Sequence, residues 1–325
     1  MPRLRDIVGH EKQMQSLAQD IAQGNVAHAY LFSGVPHLGK MSVALRFAAD
    51  LLMIDANAAE KKSIQRQIEH LTHPDLLVLD QLWMEEACED WGVIAKTSNA
   101  PQVHRSKKPA AKTDTISIDD IRALQEILYG TAMGRYRCCI IRSIERMQEA
   151  AASAFLKILE EPPEYLIFLL TTQDLEVLLP TIVSRTRVLA FHPLPSRSLQ
   201  PLLDEVDEDD ARFILHLSRG APGTAISLAS DPDLLRTHRT VHGTAQSFWR
   251  ASQDLERMKL LVPIHERGSE ADMLLLHLGL ILRERMPANV ACVRAYSELA
   301  RDLESNAHRQ LLVQRFALSV GQSLR

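Results

Sequence analysis

The residues best equipped for chemistry lie between positions 34 and 40, where Gly34-Val-Pro-His-Leu-Gly39-Lys40 fits the pattern G-x-x-x-x-G-K. In that pattern backbone N–H groups and the start of the next helix cradle phosphate oxygens, and the lysine neutralises them. The following position ordinarily carries a serine or threonine hydroxyl that binds magnesium; here it is Met41, a thioether with no affinity for a hard cation. Ser42 does not replace it, because one residue further along a helix points roughly 100° around the axis. A hydrolytic site of this kind also needs a carboxylate at the end of a buried strand to hold the metal, and a neighbouring one to activate water. The strand that would supply them, Cys138-Cys139-Ile140-Ile141, runs instead into Arg142, a guanidinium that stays charged in a protein. Glu145 comes too late to substitute and is read as facing solvent at the start of a helix. Hydrolysis is thus disabled at two positions. Gly34, Gly39 and Lys40 still allow ATP or ADP to be held without being cleaved, and no cofactor is required.

These residues need a sheet to position them. A short apolar strand at Ala29–Ser33 precedes the glycine loop, and a helix rich in Ala, Leu and Met follows from Ser42 to Ile54. Further strands are predicted at Leu76–Leu79, Cys138–Ile141 and Leu166–Leu170, and helices at Glu11–Gln23, Ile118–Leu128 and Ala150–Leu159. Strands alternating with helices imply an α/β domain with a parallel sheet. The stretch 81–115 interrupts the alternation: it begins acidic, turns basic and small around Arg105, Lys107, Lys108 and Lys112, and reads as an insertion whose second half is a solvated loop. Beyond Pro193 the strand signals stop and helical periodicity continues to Arg325.

Composition narrows the function classes. The chain has 325 residues, enough for two or three domains. Its net charge of −4 denies it any overall attraction to nucleic-acid phosphates, so DNA contact has to be local or supplied by a partner. The longest apolar stretch, Met273–Leu282, is about half the roughly 20 residues that span a bilayer, and no signal-like run follows Met1, so a cytoplasmic protein without membrane contact is expected. The four cysteines, Cys88, Cys138, Cys139 and Cys292, form no CxxC pair; buried free thiols are expected and a zinc site is not.

Several segments occur in an order shared with one family: Val8-Gly9-His10, His28 to Gly34, Thr72-His-Pro-Asp75, Ile116 to Arg122, Arg146 to Pro163 with its EEPP ending, Thr171-Thr172, and Leu179 to Thr186. Together they resemble the clamp-loader branch of the AAA+ ATPases, above all the delta-prime subunits of bacterial DNA polymerase III. The resemblance covers most of residues 5 to 225, with a weaker echo at 306–312. It implies a P-loop AAA+ parallel-sheet domain over residues 1–193, a small helical lid over 194–245 and an all-helical collar that oligomerises over 246–325. It also implies a hetero-pentamer with clamp-loader ATPase subunits (gamma/tau) and a delta subunit, reaching the sliding clamp and primed DNA through the complex.

Residue by residue, Ser184-Arg185-Thr186 is similar to the family's S-R-C segment, whose arginine projects toward ATP held by the neighbouring subunit; Arg185 is the candidate finger acting in trans. The lid's nucleotide-sensing arginine, part of a G-S-x-R motif, corresponds to Gly223 in Gly220-Ala-Pro-Gly223. Thr171 or Thr172 matches the first sensor position, or is simply a strand-end hydroxyl. Many relatives carry a four-cysteine zinc module after the P-loop helix, but residues 51–71 contain no cysteine. A non-hydrolysing stator that lends Arg185 to a neighbour is therefore the leading expectation, and an active ATPase subunit the alternative.

Overall fold

The structure, a computed structural model, describes residues 7–79, 115–130, 132–285, 289–305 and 307–324. The basic cluster and nearly all of the 81–115 insertion lie outside the described residues, as does Cys88. Two compact units divide after Ile226.

The first unit is built on five parallel strands: β1 (Ala29–Ser33), β2 (Leu76–Leu79), β3 (Arg137–Ile141), β4 (Leu166–Thr172) and β5 (Arg187–Ala190), in the order β2-β3-β4-β1-β5. Strands β1 to β4 are buried along their whole length, as a parallel sheet covered on both faces requires. Side chains alternate between two cores. Tyr30, Phe32, Val78, Cys138, Ile140, Ile167 and Leu169 pack on one face with α1 (Glu11–Gln23), α2 (Lys40–Leu52) and α3 (Ala58–Glu69). Leu31, Leu77, Cys139, Ile141, Phe168 and Leu170 pack on the other with α4 (Ile118–Leu128) and α5 (Glu149–Glu160). Adjacent Cys138 and Cys139 consequently enter opposite cores, and both are free, buried thiols, as is Cys292.

The predicted strands and helices of this unit are present. The fifth strand, β5, was not among those expected: it is four residues long, lies at the sheet edge and is only half-buried, so its periodicity is weak. After β5 the described residues contain helices and no strand. In the second unit, helices Pro232–Arg250, Ser269–Arg285, Val290–Leu303 and Arg309–Leu324 surround a core in which Phe248 stacks on Phe316 with centroids 5.4 Å apart. Among the described residues no helix is long and apolar enough to cross a membrane.

Candidate functional site

Because all strands are parallel, the chain leaves β1, β3 and β4 at one edge of the sheet, the edge where open α/β folds bind ligands. Gly34 leaves β1 with φ +150°, and its N–H donates to the Thr172 carbonyl at the end of β4 at 3.2 Å. A Cβ at this position would sit 2.4 Å from the Phe191 carbonyl oxygen, so only glycine fits. Gly39, with φ +92°, then starts α2 without any side-chain cap, leaving the helix N-terminus facing the loop.

Lys40 closes the loop on itself. Its Nζ donates to the Val35 carbonyl at 2.7 Å and also to that of Gly34, and the residue as a whole is only 9% exposed. Burial pushes its pKa down to about 8; Glu145 opposes the shift and the Arg142 cation adds to it. The next residue, Met41, is half-buried against the apolar cluster around α2, a packing role that offers no oxygen.

Arg142 follows β3 and is held through its N–H to the Leu79 carbonyl at 3.0 Å. Ser143 then adopts a left-handed conformation, φ 56°, and its N–H donates to Thr171 Oγ1 at 3.0 Å. Thr171 thus holds the β3 exit in place, while the Thr172 hydroxyl donates to the Asp174 carbonyl. The reversal at Ser143 and the single 3₁₀ turn Ile144–Arg146 redirect Glu145. Sequence reading placed Glu145 in solvent; instead it is half-buried, its Oε1 accepts from Gln173 N at 3.3 Å, its Oε2 is fully buried, and its charge acts on Lys40.

Gly223 is the second residue of the helix Pro222–Ser230, and its N–H donates to the His37 carbonyl of the glycine loop at 2.9 Å. A Cβ there would lie 3.0 Å from the same oxygen and 3.3 Å from His37 Cα, a tight fit that the absence of a side chain relieves. Arg185 is elsewhere. It follows the short helix α6 (Pro180–Val183), its Nη1 donates to the Thr181 carbonyl at 3.1 Å, and its Nη2 pairs with Glu160 at 2.9 Å. The structure therefore gathers Gly34, Gly39, Lys40, Met41, Arg142 and Gly223 around one loop, and bonds Arg185 to none of them.

A sequence model of the family described as "DNA polymerase III, delta subunit" matches residues 9–195, more than half of the chain. The chain belongs to that family. With it comes membership of the clamp-loader branch of DNA polymerase III subunits. This delta-family chain is 30% identical over 235 residues to DNA polymerase III subunit gamma/tau of Mycobacterium bovis, covering 69% of this chain and 36% of that one. It is 29% identical over 235 residues to subunit delta' of Bacillus subtilis, covering 70% and 61%. The chain thus spans about a third of the length of the gamma/tau relative. A gamma subunit-related protein of Thermotoga maritima shares the fold, with TM-score 0.58 at 20% identity over 96% of this chain and all of that one.

Two stations of the delta family have roles that sequence reading did not assign. His10, φ 63°, uses Nε2 to bond the Leu38 carbonyl at 2.8 Å and rests on Phe191, so the Val8-Gly9-His10 segment braces the glycine loop from behind. Asp75 is fully buried and anchors the turn ahead of β3. Their positions in the family's order were the available signal; their bonds, to residues 28 and 62 positions away, left no mark on local periodicity.

Proposed function

We propose that this chain is a non-hydrolysing, delta-prime-type subunit of the DNA polymerase III sliding-clamp loader, a cytoplasmic stator that donates Arg185 to the ATP site of a neighbouring gamma/tau-type subunit. The observation that carries this reading is the residue chemistry at the edge of the sheet: a thioether at Met41 and a guanidinium at Arg142 where a magnesium ion needs oxygen ligands. The donor set does not fit a magnesium ion, and no step is derived through one. It does fit phosphate. The uncapped start of α2 and Lys40 hold a polyphosphate without metal help, once the ammonium is released from the Val35 carbonyl. ATP or ADP is then a ligand and not a substrate.

The Gly223 N–H on His37 supports the stator reading, because it ties the helix that carries the family's sensor position directly to the glycine loop. Arg185, 35% exposed, is accessible to a partner and has the delocalised charge that stabilises a phosphoryl group in transfer. Partners in this reading are gamma/tau-type ATPases and a delta subunit in a pentamer, with clamp and primed DNA reached through the assembly. The helices after residue 246 supply the collar.

The second reading, an ATP-hydrolysing motor subunit, is favoured by the intact Gly34–Lys40 loop and by an identity of 30% to a gamma/tau subunit against 29% to a delta' subunit. One pair of measurements separates them. The purified chain is expected to show no magnesium-dependent ATPase, and a loader reconstituted with Arg185→Ala to assemble normally while losing clamp-loading rate. Turnover by the isolated chain that Lys40→Ala abolishes establishes the motor reading instead.

A further inference from the structure

Arg185 does not extend freely into solvent. Its Nη2 lies 2.9 Å from Glu160 Oε1 and its Nη1 donates to the Thr181 carbonyl at 3.1 Å, an oxygen that also accepts from the Ser184 hydroxyl. Glu160 is the last residue of α5 and Glu161 follows it. Carboxylates at that end meet the negative pole of the helix and weaken it, so local helix energetics give no reason for Glu160. Packing brings the two ends together. Ile158 and Leu159 of α5 and Ile182 of α6 are buried in one cluster, which brings the end of α5, with its half-exposed Glu160 side chain, beside the guanidinium across 25 residues of sequence.

We propose that Glu160 is the positioning residue for Arg185: with the Thr181 carbonyl it holds the guanidinium in the orientation in which it meets the neighbour's nucleotide. This rests on the trans-acting role proposed above. An arginine side chain loses considerable rotamer freedom when it is immobilised, and a finger left free pays that loss at the moment of reaction. Two bonds, one to the main-chain carbonyl of Thr181 and one to the Glu160 carboxylate, reduce it beforehand. They occupy one N–H on each terminal nitrogen and leave three of the five donors for phosphoryl oxygens. Glu160 touches neither substrate nor nucleotide; it acts through Arg185 alone.

The test uses the reconstituted loader with primed DNA and ATP titrated to separate kcat from KM. It compares the unmodified chain, Arg185→Ala, Glu160→Ala, Glu160→Gln and the double Glu160→Ala/Arg185→Ala. The Arg185-dependent part of the rate is the difference between the unmodified and Arg185→Ala complexes. In Glu160→Ala that part is expected to fall about threefold to tenfold in kcat with KM unchanged. Glu160→Gln, whose amide oxygen still accepts, should recover most of it, and the double variant should be no slower than Arg185→Ala. An unchanged or faster Glu160→Ala complex, a Gln variant as slow as the Ala variant, or added loss in the double variant overturns the proposal. So does failure of Glu160→Ala to assemble in gel filtration, which makes the contact structural. If Arg185→Ala itself changes nothing, the trans-acting reading fails and this inference with it; if Arg185→Ala is slow and Glu160→Ala is not, only this inference fails.

Discussion

Asp75 and Arg137, 62 residues apart, form a buried ion pair in which both Nε and Nη2 of the arginine donate to one carboxylate oxygen, at 3.2 and 3.0 Å. The other oxygen accepts from the N–H groups of Met133 and Gly134, each at 2.9 Å, and Arg137 Nη1 reaches the Ile127 and Gly130 carbonyls. The pair fastens the turn that feeds β3, the strand whose exit carries Arg142.

Asp75→Ala leaves a guanidinium that is 7% exposed without its counter-charge, and removal of one partner of a buried pair costs about 3–5 kcal/mol. Urea unfolding should show a loss of that size. Asp75→Leu combined with Arg137→Met should lose less than Asp75→Ala alone. A cost for Asp75→Ala below about 1 kcal/mol, typical of exposed pairs, means the network is dispensable.

Lys40 gives the glycine loop a pH dependence. With its pKa lowered from 10.5 to about 8, the folded chain binds fewer protons than the unfolded chain between those values, so stability rises with pH across that window and the buried charge burdens the fold below it. Lys40→Met is therefore expected to stabilise the chain at neutral pH, with a gain that shrinks as pH rises past 8. Calorimetric titration with tripolyphosphate should show affinity that weakens above the same pH. A Lys40→Met variant less stable than the parent at neutral pH contradicts the burial cost.

Two helical glycines should respond differently to alanine. A Cβ on Gly223 would sit 3.0–3.3 Å from His37, which must give by a few tenths of an ångström to admit it, so alanine there should gain less than an unobstructed helical position does. Gly243, inside Pro232–Arg250, has nothing within 4 Å of a Cβ, and alanine there should add about 0.5–1 kcal/mol. Thermal unfolding of the two variants checks both; equal shifts mean that the Gly223 contact with the loop carries no strain.

In the second unit, His238 and His242 approach opposite nitrogens of the fully buried His277, at 3.0 and 3.2 Å. Burial lowers the His238 pKa, so the unfolded chain takes up the proton first, and stability present at neutral pH is lost as pH falls below about 6.5. Urea midpoints at about pH 5.5 and about pH 7.5 should differ less for His238→Asn than for the parent chain. Identical differences assign the acid sensitivity to other groups.

Much of this was legible in one dimension. The glycine loop and the alternation of apolar strands with amphipathic helices are local patterns with periods of 2 and 3.6 residues, and they located four of the five strands. β5 was missed because an edge strand of four residues, half-buried on alternate positions and exposed on the others, carries too few periods to stand out. Glu145 was assigned to solvent because its direction depends on the left-handed turn at Ser143, which in turn depends on a hydroxyl 28 residues away.

By itself the sequence determined side-chain chemistry: neither the Met41 thioether nor the Arg142 guanidinium has an oxygen to offer a magnesium ion, whatever the fold. Only the tertiary structure decided what faces what. Lys40 bonds its own loop, Gly223 meets His37 186 residues earlier, and Arg185 is held by Glu160. The physical reason is that burial and hydrogen-bond partners are set by packing between segments distant in sequence, whereas secondary-structure periodicity and ligand chemistry are written into each segment separately.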